Sequence, residues 1–380
     1  MTVTVAKTIG STGTFSTLQL WEDGAPAALT TAEKSAAGTF LVAAFTQGEN
    51  LTFVGSGATG KLLDTDSTGA GNGTYVTYGL VTGNVAANDV CTGATSGATC
   101  IITSGTPDDT GVIWQGQCQN QSFSGTALQL DVSGSTSSSA AYKEITTVAG
   151  ASFRDNANVQ TNALRFNTAN GAGITNTAAN GTAVTLNETN SRINKLQIAT
   201  TGTGGRTLRV IAASVLIDFV IVEGTYVATS ATIGVLLCNA AGITVANSLI
   251  IQRASAADHI VATGTGSPSF YNCTIVAPDD LATAPTRVFL SGASGTVTVQ
   301  NCGLFAGDST KAIKAGSATY NFTTCYSDIS GTGGVTQATY SSEFQNVNDA
   351  TRDFRLVTGA AQKDTGTTDS TNAANDIAGT

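Results

Sequence analysis

The segments FYNCTIV at residues 270–276 and VQNCGLF at residues 299–305 decide the fold of this chain. Each places an asparagine between two apolar stretches. Two earlier segments, RINKLQI (192–198) and VANSLII (245–251), also have asparagine in this polar position. LIDFVIV (216–222) has aspartate there and FTTCYSD (322–328) has threonine. The polar position recurs every 23 to 29 residues, a period typical of solenoid proteins.

We interpret the recurring polar position as a turn that every coil makes at the same place. Asparagine tolerates left-handed backbone geometry, and its amide can bond to the asparagines of neighbouring coils. A β-sandwich would instead show strands about 8–12 residues apart without a constant polar position. We therefore predict an all-β fold, a right-handed parallel β-helix. Its turn ladder is expected to contain Asn194, Asp218, Asn247, Asn272, Asn301 and Thr324.

Four regions are predicted from how far this repeat extends. Residues 1–34 are expected to form an N-terminal strand and a capping helix, and residues 113–340 the β-helix. Between them, residues 35–112 contain hairpins punctuated by Gly and Thr without a coil repeat, which indicates an inserted small β-domain. The tail, residues 341–380, is expected to pack on the last coils through three apolar anchors, Phe344, Phe354 and Leu356.

The capping α-helix is predicted in TFSTLQLWEDG, residues 14–24. Phe15, Leu18 and Trp21 would share one apolar face, with Thr14 or Ser16 as the N-cap and Gly24 as the stop signal. An amphipathic helix of this kind can cover the open strand edge at the end of a solenoid.

The chain has seven cysteines. Cys273, Cys302 and Cys325 occupy one position in successive repeats and are expected to stack as buried thiols. Cys91 and Cys100 flank the turn CTGATSGATC and are candidates for a local hairpin disulfide. There is no Cys-x-x-Cys motif and a single histidine, so a zinc site is not expected.

Composition limits the partners of the chain. The net charge is −9 and the pI is about 4.5, without a cluster of basic residues, so neither nucleic acid nor an anionic membrane surface is an expected partner. The sequence has neither a signal-peptide pattern at MTVTVAKTIG nor a stretch of about 18 apolar residues. We expect synthesis in the cytoplasm without an export signal.

Motifs for chemistry are weak. GSGATGKLL (55–63) has P-loop spacing, but Leu62 stands where a Ser or Thr would bind magnesium. Paired carboxylates could serve in polysaccharide cleavage. The acidic candidates are Asp218, Glu223, Asp258, Asp279 with Asp280, and Asp328. Asp218 occupies a turn position and Asp279 with Asp280 a proline-flanked loop, which favours structural roles. We expect no catalytic residue, cofactor or metal.

Several of these segments resemble one family. FSTLQLWED (15–23), ASFRDNANVQTNALRF (151–166), the NCTIV and NCGLF turns and DFRLVTGAAQKDTG (353–366) resemble right-handed, pectin-lyase-like β-helix virion proteins of tailed bacteriophages. The resemblance covers residues 1–34 and 112–380 and excludes the insert.

The resemblance implies a structural protein on the virion surface, a capsid decoration protein or head spike. The alternative is a tail spike or fibre that binds host surface polysaccharide and can also cleave it. The partners it implies are other virion proteins of the shell or tail, together with sister copies in a homo-oligomer such as a trimer. The alternative adds a host glycan.

Overall fold

A computed structural model of the chain describes residues 3–26, 29, 33–65, 71–73, 75–83, 85–103, 108–109, 112–156, 162–202, 206–225, 234–254 and 257–361. It contains two compact units. The first comprises Met1–Ala6, Ala25–Gln115 and Gly134–Lys143, and the second comprises Lys7–Gly24, Gly116–Ser133 and Glu144–Thr380. The sequence pattern does not predict that residues 1–6 and 134–143 belong with the insert.

Three parallel sheets form a β-helix, which makes up most of the second unit. The first sheet has the order β1 (Val3–Ile9), β9 (Val112–Cys118), β12 (Lys143–Thr147), β15 (Arg192–Asn194), β18 (Leu216–Asp218), β21 (Thr244–Ala246), β24 (Ser269–Tyr271), β27 (Thr296–Gln300) and β30 (Thr319–Thr323). The second has β10 (Ser122–Gly125), β13 (Gly173–Asn176), β16 (Gln197–Thr200), β19 (Ile221–Gly224), β22 (Leu249–Gln252), β25 (Thr274–Val276), β28 (Gly303–Phe305), β31 (Cys325–Ser327) and β32 (Val335–Gln337).

The third sheet has the order β11 (Leu130–Val132), β14 (Thr182–Leu186), β17 (Arg206–Val210), β20 (Leu236–Cys238), β23 (His259–Ala262), β26 (Arg287–Leu290) and β29 (Ala312–Ala315). One coil takes one strand from each sheet in turn, as β15, β16 and β17 do. Parallel crossovers of this kind are right-handed in nearly all proteins. The predicted fold, an all-β right-handed parallel β-helix, is confirmed.

Stacked apolar side chains fill the interior of the coils. Ile193, Ile217, Val245 and Phe270 follow one another in register on β15, β18, β21 and β24, and all four are buried. The ring of Phe270 also meets that of Phe289 at 5.3 Å. Burying such a column removes a large apolar area from water, which supplies most of the free energy that holds the coils together.

Helix α1 (Leu18–Asp23) covers the first coil. Leu18 and Trp21 are buried, and a Cβ atom at Gly116 would lie 2.6 Å from the indole of Trp21. Two of its polar side chains accept hydrogen bonds from backbone N–H groups at β11, the end strand of its sheet: Gln19 from Asp131 at 3.0 Å and Glu22 from Ser133 at 2.9 Å. The helix thus occupies bonding groups that an exposed sheet edge would leave open.

The start of this helix differs from the prediction. Thr17 is the N-cap and accepts a hydrogen bond from the Leu20 N–H, in place of Thr14 or Ser16. Phe15 lies before the helix and forms a β-bridge with Ile9, so it does not belong to the helical face. The cap moves because the chain turns at residues 10–13 and Phe15 then pairs with Ile9 before the helix begins.

The C-terminal segment adds α3 (Tyr340–Glu343) and the hairpin β33 (Phe344–Asn346) and β34 (Asp353–Leu356). Phe344 and Phe354 are buried, and Leu356 packs against the same cluster. The ring of Tyr340 stacks on that of Phe305 at 4.8 Å. Two short helical turns, α2 (Phe153–Asn156) and a 3₁₀ turn (Thr168–Asn170), complete the unit.

The first unit contains an antiparallel β-barrel. Its strands are β2 (Glu33–Val42), β3 (Asn50–Val54), β4 (Thr59–Thr65), β5 (Tyr75–Thr82), β6 (Val90–Gly93), β7 (Thr99–Ile102) and β8 (Asp108–Asp109). They run in the order β5, β4, β3, β6, β7, β2, β8, and a further pairing of β5 with β2 closes six of them into a ring. Closure removes open sheet edges. Its core includes Phe40, Phe53 and Tyr78.

Among the described residues, no helix is long and apolar enough to cross a membrane.

Candidate functional site

A ladder of asparagine amides runs along one edge of the β-helix. Asn247 donates to Asp218 at 2.9 Å, Asn272 to Asn247 at 3.4 Å, and Asn301 to Asn272 at 3.1 Å. The backbone N–H of each turn asparagine donates to the next coil, as from Asn272 to Gln300 O at 3.0 Å. Each amide therefore ties one coil to the next.

The ladder differs from the predicted one at its first two positions. The residues with left-handed geometry are Lys195, Phe219, Asn247, Asn272, Asn301 and Thr324, with φ between 48° and 60°. Asn194 and Asp218 each precede this turn and pair with each other in register. The interior column of Ile193, Ile217 and Val245 fixes the register and moves the turn by one residue.

The displaced residues still make contacts between coils. Asp218 accepts from Asn247, as above, whereas Asn194 donates to Glu144 at 2.6 Å and accepts from the Thr146 hydroxyl. Burial raises the pKa of Asp218, although the hydrogen bond from Asn247 opposes this shift. The chain thus uses Asp218 as a structural acceptor.

Asn272 offers a test of the ladder. Asn272→Ala is expected to lower the free energy of unfolding by about 1–2 kcal/mol, because alanine disfavours φ of 51° and cannot bond to either neighbour. Asn272→Gly loses the same bonds but adopts this geometry freely, so it should lose less. Chemical denaturation of both variants measures the difference. A glycine variant no more stable than the alanine variant would contradict this role.

All seven cysteines are free and buried. Cys273, Cys302 and Cys325 follow the turn residue in successive coils, and the Cys273 N–H donates to Cys302 Sγ at 3.4 Å. Burial raises the pKa of Cys302 well above its usual range. These thiols act as small core side chains.

No disulfide joins Cys91 and Cys100. They lie directly opposite each other on β6 and β7, as a hairpin disulfide would need. Both side chains point into the barrel core, where the two thiols hydrogen-bond, and this bond raises the pKa of Cys91. The disulfide interpretation is therefore corrected to a buried thiol pair.

Three acidic candidates are engaged in structural contacts. Asp218 belongs to the ladder. Glu223 forms a 2.5 Å ion pair with Arg352 of the C-terminal segment, and both side chains are less than 10% exposed. Asp258 pairs with Arg287 at 2.7 Å and lies 3.5 Å from His259 Nδ1.

Of the remaining acidic candidates, Asp279 lines a cavity of about 460 Å³. Two loops that follow β25 and β28 line it, with Asp279, Thr283, Asp308, Ser309 and Lys311 among its walls. The second loop turns at Gly307, where φ is 77° and a Cβ atom would lie 2.6 Å from Pro278 O. Glycine is thus required for the close approach of the two loops.

These carboxyl groups have opposite pKa shifts. Burial raises the pKa of Asp328 to about 6, and burial with the charge of Asp280 raises that of Asp279. The N–H and hydroxyl of Thr310, with Lys311 at 3.4 Å, lower the pKa of Asp308. One carboxyl that holds its proton and a second that stays ionised is the combination that general acid–base chemistry uses.

The raised pKa of Asp328 should make the stability of the fold depend on pH. Its folded-state pKa lies above its ordinary value of 3.8, so its ionisation opposes folding as pH rises through this interval. Asp328→Asn is therefore expected to be more stable than the native chain by about 1–3 kcal/mol at pH 7.5, and equally stable below pH 4. Denaturation curves across this range measure it. A difference independent of pH would contradict the assignment.

Within the described part of the chain, no group of three or more His, Cys, Asp or Glu side chains could hold a metal ion. GSGATGKLL forms the turn that joins β3 to β4 and the first part of β4, so Gly55 and Gly57 belong to a hairpin turn. Lys311 and Asp308 of the cavity were missed by the sequence analysis. Their signal was an acid three residues before a lysine, which is common in surface loops.

No protein-family model matches the chain, and no curated protein matches it significantly. Two solved structures match, both of pectin methylesterase from Aspergillus niger. The penultimately deglycosylated form is 11% identical, covers 60% of this chain and 72% of that chain, and has a TM-score of 0.29. The deglycosylated form is 12% identical, covers 65% of this chain and 82% of that chain, and has a TM-score of 0.31. This likeness concerns the fold alone.

Proposed function

We propose that this chain is a structural, non-enzymatic protein on the surface of a bacteriophage particle, a capsid decoration protein or head spike. Two points support the proposal: the sequence resemblance to virion proteins and one observation on the barrel. On the outward face of β3, β6, β7 and the Ala37–Val42 part of β2, the side chains that the structure describes carry no charge, although the chain as a whole has a net charge of −9. We propose that this face attaches the protein to the particle.

Strand register defines this face. Val54 pairs with Val90, Val90 with Ile101, and Ile101 with Thr39. The neighbouring row contains Thr52, Thr92, Thr99 and Val42. Val54 is 60% exposed and Val42 54%. Exposed apolar residues that cluster on one face of a soluble domain commonly mark a binding surface.

Attachment can be tested with particles that lack this protein. A Val54→Lys/Ile101→Lys variant should lose at least tenfold in retention, because burying an unpaired ammonium group in an apolar contact is costly. Leu128→Lys is the matched control, because Leu128 is 41% exposed in the other unit. Its retention should equal that of the native chain. Native retention of the barrel variant, with unchanged melting temperature, would refute attachment through this face.

A second candidate function is cleavage of a host glycan, favoured by the oppositely shifted carboxyl groups near the cavity. The test is to incubate the protein with capsular polysaccharide or lipopolysaccharide of the host and to assay new reducing ends or unsaturated uronate. Our proposal expects neither product. Activity that Asp279→Asn or Asp308→Asn abolishes, and that Asp155→Asn retains, would replace the structural role with an enzymatic one.

A further inference from the structure

The barrel contains an internal repeat, which is separate from the coil repeat of the β-helix. FVGSGAT at residues 53–59 and GATSGAT at residues 93–99 lie 40 positions apart and share the same final four residues. At this offset β3 corresponds to β6, and β4 corresponds to β7. The strands β3 and β4 form one hairpin, and β6 and β7 form the equivalent hairpin.

The backbone follows the same offset. Left-handed residues occur in pairs 40 positions apart: Ala43 with Gly83, Gly48 with Asn88, and Gly57 with Gly97. Their φ angles are 51° and 88°, 76° and 69°, and 72° and 64°. Thr52 and Thr92, equivalent under the offset, pair directly across β3 and β6. A local twofold axis therefore passes between these two threonines.

Each half contributes one buried carboxylate to the turn of the other half. Glu49 accepts from the N–H groups of Thr95 at 2.8 Å and Ser96 at 2.9 Å, and from the Ser96 hydroxyl at 2.7 Å. Asp89, its equivalent 40 positions later, accepts from the N–H of Ser56 at 2.9 Å and from its hydroxyl at 2.5 Å.

The two carboxylates differ by one methylene group, and the core compensates for it. Glu49 reaches over Gly93, where a Cβ atom would lie 2.5 Å from its carboxyl group. The equivalent position in the other half is Phe53, which is buried in the barrel core, and the shorter Asp89 lies instead against Gly55, where a Cβ atom would be 2.4 Å from its carboxylate oxygen. Both carboxylates are nearly fully buried, and each also accepts a backbone N–H from its own half, Thr46 or Ala86.

We infer that the barrel is a duplication of one unit of 40 residues, in which the buried carboxylate of each copy holds the hairpin turn of the other closed. The halves pair mainly with each other: β2 with β5 and β7, β3 with β6, and β4 with β5. This arrangement is that of a twofold dimer joined into one chain. Neither turn is held by its own half alone.

Hydrogen exchange of the full-length protein, followed by mass spectrometry, tests whether the carboxylate of each half holds the turn of the other half. Asp89→Asn should accelerate exchange at least tenfold at the turn around Ser56, 33 positions away, and leave the turn at Thr95 and Ser96 within twofold of the native rate. Glu49→Gln should do the reverse. Asp23→Asn, an exposed acid outside the barrel, is the control and should change neither turn.

Exchange that rises equally at both turns, or only in the half that carries the substitution, would overturn the inference. If either amide variant unfolds the barrel, Ser56→Ala and Ser96→Ala replace it, because they keep both carboxylates and remove one bond each. Ser56→Ala should then raise the pKa of Asp89 alone, and Ser96→Ala that of Glu49 alone, in an NMR titration. A shift at the wrong carboxylate, or at both, would equally refute the crossed arrangement.

Discussion

Replacing Arg352 by methionine is expected to lower the free energy that holds the C-terminal hairpin on the β-helix by about 3–5 kcal/mol. Arg352 donates to both oxygens of Glu223, at 2.5 Å from Nη2 and 3.3 Å from Nε. Methionine fills similar space but leaves a buried carboxylate on β19, whose remaining ion-pair partner in the described part of the chain is Arg253 at 3.3 Å. Hydrogen exchange of β33 and β34 measures the release.

Two variants control this experiment. Glu223→Leu/Arg352→Met removes both charges and should restore most of the loss, because a buried ion pair can be replaced by apolar side chains at little cost. Arg253→Met should cost less than Arg352→Met, because Arg253 is 29% exposed and its main partner Asp349 is 30% exposed. A double variant as unstable as the single one would show that the pair does not fix the hairpin.

Truncating Trp21 to alanine is expected to destabilise the first coil by about 3–5 kcal/mol, since the indole is fully buried. The cavity lies directly against Gly116, which has no side chain to fill it. Loss of α1 would also expose the N–H groups at β11 that Gln19 and Glu22 occupy, so the variant should aggregate during refolding.

Leu20→Ala is the matched control for Trp21→Ala. Leu20 belongs to the same helix but is 50% exposed, so its variant should stay within about 0.5 kcal/mol of the native chain. Thermal unfolding with light scattering measures stability and aggregation together. Equal losses in the two variants would mean that α1 acts through helix propensity alone, without capping the coils.

The coil repeat could be predicted from sequence because the asparagines at 247, 272 and 301 occupy the turn itself. The register at the first two ladder positions could not, because RINKL offers two adjacent polar residues and LIDFV places an aromatic residue at the turn. In the structure Phe219 adopts φ of 52°, and its ring lies 3.6 Å beneath the guanidinium of Arg154. A contact between residues 65 positions apart leaves no local signal.

The insert was predictable as β-hairpins and unpredictable as a closed, duplicated barrel. Only a few residues around each turn agree between its halves, and Thr52 with Thr92 is one of the matching pairs outside the turn. The cavity could not be predicted because it forms where two loops of successive coils meet. The raised pKa of Asp328 depends on its burial, which the local sequence does not reveal.

Imaging the intact phage particle by cryo-electron microscopy, with a count of copies of this chain, tests the proposed function most directly. Our account predicts tens to hundreds of copies on the outside of the capsid shell, with the β3, β6, β7 and β2 face of the barrel against it. A few copies confined to the tail, with the barrel face open to solvent, would contradict it and favour the glycan-binding tail spike.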